Sequence, residues 1–193
     1  MKVHQSSHAH MLIRDLRAVT ATAEEIPRQA SQAQLDWRPP DGGWSASQIF
    51  EHLCITNDSY LEELHRLVPD SRTGFGTANT IWKPTLAGKL LVRSMESPRK
   101  VRAPKIWVPG PTARPNVISE FLRRQSDIVD LIQRSLAYDW RTVKLASPVS
   151  MLIRMNIGDA FTVLVRHEQR HLQQIQSRLQ FQRVGSAPAL ASR

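Results

Sequence analysis

His167 and His171 are the residues best placed to do chemistry, because they stand four residues apart in a run that favours helix. Residues at this spacing share one face of a helix, with their β-carbons about 6 Å apart. Both imidazoles can therefore reach one divalent metal ion at about 2.0–2.1 Å. A metal centre that does chemistry needs about three protein ligands and an open position for water or substrate. The pair predicts a metal site whose third ligand lies elsewhere in the chain.

The segment from His167 to His171 also matches H-E-x-x-H, the motif of zinc metallopeptidases, in which the glutamate acts as general base. Such peptidases take their third ligand downstream, whereas residues 172–193 contain no His, Glu, Asp or Cys. This argues against a peptidase. Glu168 remains a candidate catalytic proton acceptor or a support for the ligands, with a solvated helix face near Arg170 as the alternative.

The third ligand must then come from upstream, where five histidines are available: His4, His8, His10, His52 and His65. The first three lie near a terminus that we expect to be mobile. His65 stands beside Arg66 near the end of its helix, which favours a solvated position. His52 borders the apolar side of a predicted helix that can pack against the helix of His171. The sequence therefore favours His52.

Apolar residues at three- and four-residue steps predict four long helices, over residues 7–26, 46–68, 116–137 and 157–181. Pro27 either kinks the first helix or restarts a further turn. Ser45 and Gln48 form a predicted capping box at the start of the second helix, and Asn156 is the predicted cap of the fourth. Proline and glycine make residues 70–111 an irregular insertion, with a short helix over 84–95.

With no clear strand pattern, these elements predict an all-α four-helix bundle, whose facing side chains can converge on a metal. The length of 193 residues favours a single domain, over 1–185, with a flexible tail over 186–193. No apolar run is long enough to span a membrane, and no secretory leader is recognisable, so we expect a cytoplasmic protein. The single cysteine, Cys54, fits a reducing compartment.

The net charge of +9 raises the question of nucleic-acid binding. The basic residues are scattered along the chain, and no zinc-finger spacing, aromatic RNA-binding strand or persuasive helix-turn-helix appears. We therefore expect surface arginine that keeps the protein soluble, with a basic nucleic-acid-associated protein as a less favoured alternative.

Several further residues are candidates for the surroundings of the site. Gln48 and Gln174 each lie one turn from a histidine and can orient a ligand or substrate. Trp37 and Trp44 either line a substrate pocket or staple the entrance of a helix. Cys54 is expected to be a buried small residue, with a nucleophilic role as the alternative. Two residues beside a proline-rich wall are candidate ligand contacts, namely Lys105 and Trp107.

Taken together and in order, several short motifs resemble those of the DinB/YfiT-like metal-binding four-helix bundles. They are Trp37-x-Pro-x-x-Gly-Gly-Trp44-Ser45, Glu51-His52-Leu53, Ala103-Pro104-Lys105, Gly158, and His167-x-x-x-His171-Leu172-x-Gln174-Ile175. The resemblance extends over residues 35–175. It implies an up-down-down-up bundle in which His52 of the second helix and His167 and His171 of the fourth bind a divalent metal, usually zinc or nickel.

The same resemblance implies a metal-dependent enzyme, either a thiol-dependent S-transferase or a hydrolase, in a family that includes a mycothiol-dependent maleylpyruvate isomerase. A metal held by three neutral imidazoles keeps its charge, so it can lower the pKa of bound water toward about 7 or hold a thiol as the thiolate. We expect a small-molecule substrate, a low-molecular-weight thiol as cosubstrate, and a homodimer. The alternative is a non-catalytic, stress-related bundle that binds a metal or ligand.

Overall fold

The protein is mostly helical, in a computed structural model that describes residues 3–69, 80–97 and 102–185. The helices are α1 Gln5–Gln29, α2 Gln32–Asp36, α3 Ala46–Leu67, α4 Leu86–Glu96, α5 Val117–Ser135 and α6 Ile157–Gly185. The four predicted long helices are α1, α3, α5 and α6, and the predicted short helix of the insertion is α4. The predicted tail lies outside the described residues. None of the described helices combines the length and apolar character needed to cross a membrane.

Pro27 does not end the first helix, which continues to Gln29. A new helix then starts at Ser31, whose hydroxyl accepts a hydrogen bond from the backbone N–H of Gln34. The side chain of Gln34 reaches back to the N–H of Ser31, which completes a capping box. The further turn expected after Pro27 is thus the separate helix α2.

Both helices that carry candidate ligands begin at the predicted caps. Ser45 and Gln48 form a capping box, in which the Ser45 hydroxyl accepts from the Gln48 N–H at 3.1 Å and Gln48 Oε1 accepts from the Ser45 N–H at 3.0 Å. Asn156 and Asp159 make the same exchange at the start of α6, at 2.9 and 3.1 Å. These reciprocal bonds satisfy backbone donors that a helix start leaves open.

The described residues also form four short strands, and the sequence predicted none of them. Strand β1 Val3–His4 pairs antiparallel with β2 Ile81–Trp82, and β3 Lys144–Ser147 pairs antiparallel with β4 Ser150–Asn156. The first pair is two residues long, too short for an alternating pattern. In the second, the apolar neighbours Met151 and Leu152 are both exposed, at 85% and 94%. Met151, Leu152 and Ile153 are three apolar residues in succession, so β4 lacks the alternation of apolar and polar residues that predicts a strand.

The four long helices pack so that α1 and α3 each contact both α5 and α6. Their apolar side chains form two buried clusters. The first includes Leu12, Leu64, Ile132 and Phe161, and the second includes Ala23, Phe50, Phe121 and Ile175. Each cluster takes residues from all four helices, so each cluster holds the four helices together.

A layer of buried polar side chains lies between the two clusters. Asn57 of α3, Gln125 of α5 and Glu168 of α6 each stand between residues of the first and second cluster along their helix. All three are almost completely buried. Buried polar groups are costly unless they are hydrogen-bonded, so this layer restricts how the helices can slide against each other.

The insertion is attached to the N-terminal end of α6. Asp159 Oδ2 accepts hydrogen bonds from both the backbone N–H and the hydroxyl of Thr85, the cap of α4, at 3.1 and 2.7 Å. The indole of Trp82 donates to Asn156 Oδ1 at 3.2 Å. Gly158 makes room for this contact, because a Cβ at Gly158 would lie 2.4 Å from Trp82 Nε1 and 2.5 Å from Trp140 Cε3.

We expect Gly158→Ala to lower the free energy of unfolding by about 1–3 kcal/mol, because the added methyl group overpacks the contact with the two indoles. Urea denaturation followed by circular dichroism measures the change. Gly110→Ala is the matched control, since the nearest atom to a Cβ there is 3.6 Å away. Equal stabilities for the two variants would contradict the packing described for Gly158.

Candidate metal centre

The three predicted ligands meet in the interior. His52 reaches inward from α3, and His167 and His171 reach inward from consecutive turns of α6. The Nε2 atom of His167 lies 3.2 Å from Nε2 of His52 and 3.0 Å from Nε2 of His171. All three ligand atoms lie within 4.8 Å of one another. The arrangement is a three-histidine cluster that can hold one metal ion.

The distances fit a tetrahedral ion. Two donors bound at about 2.0–2.1 Å in tetrahedral geometry lie about 3.3 Å apart, close to the separations seen here. Three protein nitrogens leave a fourth position of the tetrahedron for another ligand.

The hydrogen bonds of two of the rings, His52 and His171, fit a metal as well. His52 Nδ1 donates to the carbonyl of Trp107 at 2.7 Å, and His171 Nδ1 donates to Oε1 of Gln174 at 2.8 Å. In the neutral rings both protons are therefore on Nδ1, and the lone pairs on Nε2 point at His167. A proton on Nε2 of His167 could be donated to Nε2 of His52 or of His171, but not to both. A metal ion among the three Nε2 atoms would accept the lone pair of each.

Burial keeps the three rings neutral, which metal binding requires. Burial lowers the pKa of His52, although its hydrogen bond to Trp107 acts in the opposite direction. Burial lowers the pKa of His171 to about 3, and repulsion from a protonated His52 would act in the same direction. Burial holds the pKa of His167 well below its usual range, and repulsion from either of the other two rings in protonated form and from Arg170 acts in the same direction. The lone pairs are thus available at neutral pH.

A loop after α4 holds His52 in place. A 3-10 turn, Lys105–Trp107, presents the Trp107 carbonyl to His52, and the Trp107 indole donates to Ser59 Oγ at 3.1 Å. Further along, the guanidinium of Arg114 is paired with the carboxylate of Glu51 at 2.6 Å. Because Glu51, His52 and Ser59 are all on α3, the loop and the helix are fixed to each other beside the centre.

Gln174 and Gln48 have different roles. Gln174 orients His171 by the hydrogen bond to its Nδ1, as its position one turn away predicts. Within the described part of the chain, Gln48 makes no hydrogen bond to His52. It completes the α3 capping box and donates to the carbonyls of Gly110 and Pro111 at 2.8 and 3.2 Å. Its side chain therefore fixes the loop.

Of the two tryptophans, Trp44 belongs to the surroundings of the centre. Its ring centroid lies 4.9 Å from that of His52, whereas Trp37 packs against Phe181 at 6.3 Å. Trp107 contacts the site through its carbonyl, and Lys105 is exposed. Trp44 is half-buried, as is His171, while His52 and His167 are buried. The accessible side of the centre is therefore that of His171 and Trp44.

Glu168 is completely buried, so the solvated-face interpretation is wrong. Its Oε1 atom accepts hydrogen bonds from Asn57 Nδ2 at 2.7 Å and from Gln125 Nε2 at 2.9 Å. Its Oε2 atom has no hydrogen-bond partner in the described part of the chain. Burial raises the pKa of Glu168 to about 7, although the two amide hydrogen bonds lower it. Its role as a proton acceptor stays a prediction.

The other histidines do not join the centre. His8 was expected in a mobile terminus, but it is buried, stacks on Trp82 at 3.9 Å and has Nε2 2.9 Å from the hydroxyl of Thr162. Burial and the charge of Arg166 lower the pKa of His8 to about 4. His65 is exposed, as predicted, and pairs with Asp127.

Cys54 is a buried small residue, as expected. Its thiol is inaccessible, and burial raises its pKa to about 12. A thiol that is protonated at neutral pH is a poor nucleophile. These properties disfavour the nucleophilic alternative.

Sequence reasoning missed the Trp107 carbonyl, Asn57 and Gln125. A backbone carbonyl leaves no trace in residue type, so the first had no signal. The other two had one, because each is a polar residue in an apolar stripe: Asn57 follows Leu53 by four residues, and Gln125 follows Phe121 by four. A polar side chain at such a position is buried and needs a partner.

A family model described as the DinB superfamily matches residues 13–175, which include all three histidines of the centre. No curated protein and no solved structure matches the chain.

We expect His167→Ala and His171→Ala each to abolish tight metal binding and to leave the helix content nearly unchanged, because the core consists of aliphatic and aromatic clusters. His52→Ala is expected to reduce the bound metal strongly. Inductively coupled plasma mass spectrometry gives the metal per chain, and circular dichroism gives the helix content. His65→Ala is the control. Stoichiometric metal in either α6 variant would show that the ligands are misassigned.

Proposed function

The chain belongs to the DinB superfamily, and we propose that it is a metal-dependent enzyme that transfers a group to a thiol at a three-histidine centre. The observation that carries the proposal is the convergence of Nε2 of His167 with Nε2 of His52 and His171, at 3.2 and 3.0 Å. We propose zinc or nickel as the ion, since imidazole suits both. The same centre with water as the acceptor would make the protein a hydrolase.

The residues around the centre have distinct tasks in this reaction. When bound, the divalent ion supplies the positive charge that keeps a thiol deprotonated at neutral pH. Trp107 and Gln174 hold two of the imidazoles in the tautomer that frees Nε2. The indole of Trp44 forms an apolar wall beside His52. The small-molecule substrate approaches from the half-buried side of His171, because the other two rings are buried.

Glu168 is our proposed proton acceptor. Its Oε1 atom is engaged by Asn57 and Gln125, which leaves Oε2 as the oxygen that can take up a proton. Its complete burial separates it from bulk water, so the proton that it takes up in this proposal is the one that the substrate thiol loses. The two amide bonds give Glu168 a second task, which is to hold α6 against α3 and α5.

We also propose that α1, α3, α5 and α6 form an up-down-down-up bundle. The first core cluster joins the N-terminal halves of α1 and α6 to the C-terminal halves of α3 and α5, and the second joins the opposite halves. This pairing of halves supports α1 and α6 running antiparallel to α3 and α5.

The remaining proposals concern the whole protein. We propose that residues 1–185 are one domain, since both core clusters draw on all four long helices. A reduced, buried Cys54 supports a cytoplasmic location. A homodimer is proposed because two-fold dimers are the commonest assemblies of small proteins.

Cobalt substitution tests the proposed thiol chemistry. We expect mercaptoethanol added to the cobalt(II) protein to produce a thiolate-to-cobalt charge-transfer absorption, because the open position admits sulfur. The zinc or nickel protein is then expected to accelerate the reaction of the thiol with monobromobimane. His171→Ala, which lacks a ligand, serves as the control for both measurements. A cobalt spectrum that no thiol alters would overturn the transferase proposal and favour the non-catalytic bundle.

For Glu168, we expect Glu168→Gln to retain the metal and to lower turnover about 10²-fold or more, because the amide still accepts at Oε1 but cannot take up a proton. Metal analysis and the bimane assay measure the two effects. Glu168→Leu provides the contrast: it leaves the donors of Asn57 and Gln125 unpaired and should destabilise the fold by about 2–5 kcal/mol. Full turnover in Glu168→Gln would restrict this residue to a structural role.

A further inference from the structure

Arg178 differs from the other arginines packed against the core. Arg124 pairs with Asp58, and Arg114 pairs with Glu51. Arg170 donates to the carbonyls of residues at the end of α4, at 2.6 to 3.2 Å. Arg178 is half-buried, yet it makes no hydrogen bond or ion pair with residues 3–69, 80–97 or 102–185. A partly desolvated cation without such a partner is costly, and it is suited to an anion from outside the chain.

Asp41 is an acidic neighbour of Arg178. Burial lowers its pKa, and the negative charge of Asp41 acts in the opposite direction. Asp41 Oδ1 accepts a hydrogen bond from the backbone N–H of Gly43 at 3.0 Å. An arginine remains protonated at neutral pH in any protein environment. The guanidinium is therefore a permanent positive charge with the acidic Asp41 nearby.

Arg178 is on the side of α6 that faces the centre. It follows His171 by seven residues and Gln174 by four, so the three share one face of the helix. Seven residues correspond to about 10 Å along the helix axis. Side chains on a helix lean toward its N-terminus, so the guanidinium of Arg178 extends along α6 in the direction of His171.

The loop before α3 connects the guanidinium to the metal ligands. A Cβ on Gly43 would lie 2.7 Å from one terminal nitrogen of Arg178 and 3.0 Å from the other, so the guanidinium lies against this glycine. The next residue is Trp44, whose ring is 4.9 Å from the ring of His52. Arg178, Gly43 and Trp44 thus form one continuous edge beside the accessible side of the centre.

The chemistry of this edge selects the ligand. A guanidinium binds a carboxylate through two parallel hydrogen bonds. One guanidinium with Asp41 nearby matches the single charge of a carboxylate better than the two charges of a phosphate monoester. The apolar indole of Trp44 suits the hydrocarbon part of such a ligand.

We propose that Arg178 binds the carboxylate of a thiol whose sulfur reaches the three-histidine centre, so that the site selects carboxylate-bearing thiols. The inference rests on the proposed function, because it assumes that sulfur reaches the metal. Arg178 is a specificity-determining residue in this proposal. The separation of sulfur and carboxylate in the preferred thiol therefore reports the distance between the three-histidine centre and the Arg178 guanidinium.

The test is a titration of the cobalt(II) protein with ω-mercaptocarboxylates from thioglycolate to mercaptooctanoate, each beside the ω-mercaptoalcohol of the same length. The charge-transfer absorption gives each dissociation constant. We expect an acid of intermediate length to bind about tenfold or more tightly than its alcohol, because a charge-assisted bidentate contact is added. Arg178→Gln is expected to abolish that preference and leave the affinity for the alcohols unchanged.

Arg141→Gln is the matched control, since it removes the same charge from an exposed arginine that pairs with Asp139. A preference that persists in Arg178→Gln, or that Arg141→Gln abolishes equally, would overturn the inference. Equal binding of acids and alcohols by the parent protein would overturn it while leaving the proposed function intact. A cobalt spectrum that neither class of thiol alters would overturn both.

Discussion

The relative register of α3 and α6 is the constraint on which the centre depends. His52 is on one of these helices and the other two histidines are on the other, so the three Nε2 atoms converge only when the helices are correctly aligned. A shift of one residue would move a side chain by 1.5 Å along the axis and about 100° around it. The buried hydrogen bonds from Asn57 and Gln125 to Glu168 tie α6 to α3 and α5 beside the ligands. Buried polar pairs of this kind can specify alignment, because any other register leaves them unpaired.

Parts of the chain outside the long helices complete the centre. The Trp107 carbonyl sets the tautomer of His52, and the Arg114–Glu51 pair fixes the same loop to α3. At the N-terminal end of α6, the hydrogen bonds between Thr85 and Asp159 attach the insertion to this helix. The irregular segments are therefore structural supports of the site, because they fix the orientation of the His52 ring and the placement of the loop beside it.

Electrostatics at the centre combine neutral ligands with permanent cations. The buried imidazoles are uncharged at neutral pH, which leaves their lone pairs for a metal. Arg170 on the same helix is held by backbone carbonyls of the α4 end, so its charge is partly compensated. Arg178 has the acidic Asp41 nearby but no ion pair with a described residue. A bound divalent ion would add to this positive potential, which favours anionic ligands at the accessible side.

Local chemistry in the sequence determined the long helices, their caps at Ser45 and Asn156, and the pair His167 and His171, because periodicity, capping and four-residue spacing act within a few turns of one helix. The choice of His52 also came from the sequence, by exclusion and by resemblance. Tertiary structure alone decided that β1 pairs with β2, that a Trp107 carbonyl holds His52, and that Glu168 is buried between Asn57 and Gln125. The hydrogen bonds of His52 and Glu168 join residues that are 43 to 111 positions apart in the sequence. Residue type alone does not encode which distant partner a polar group will find.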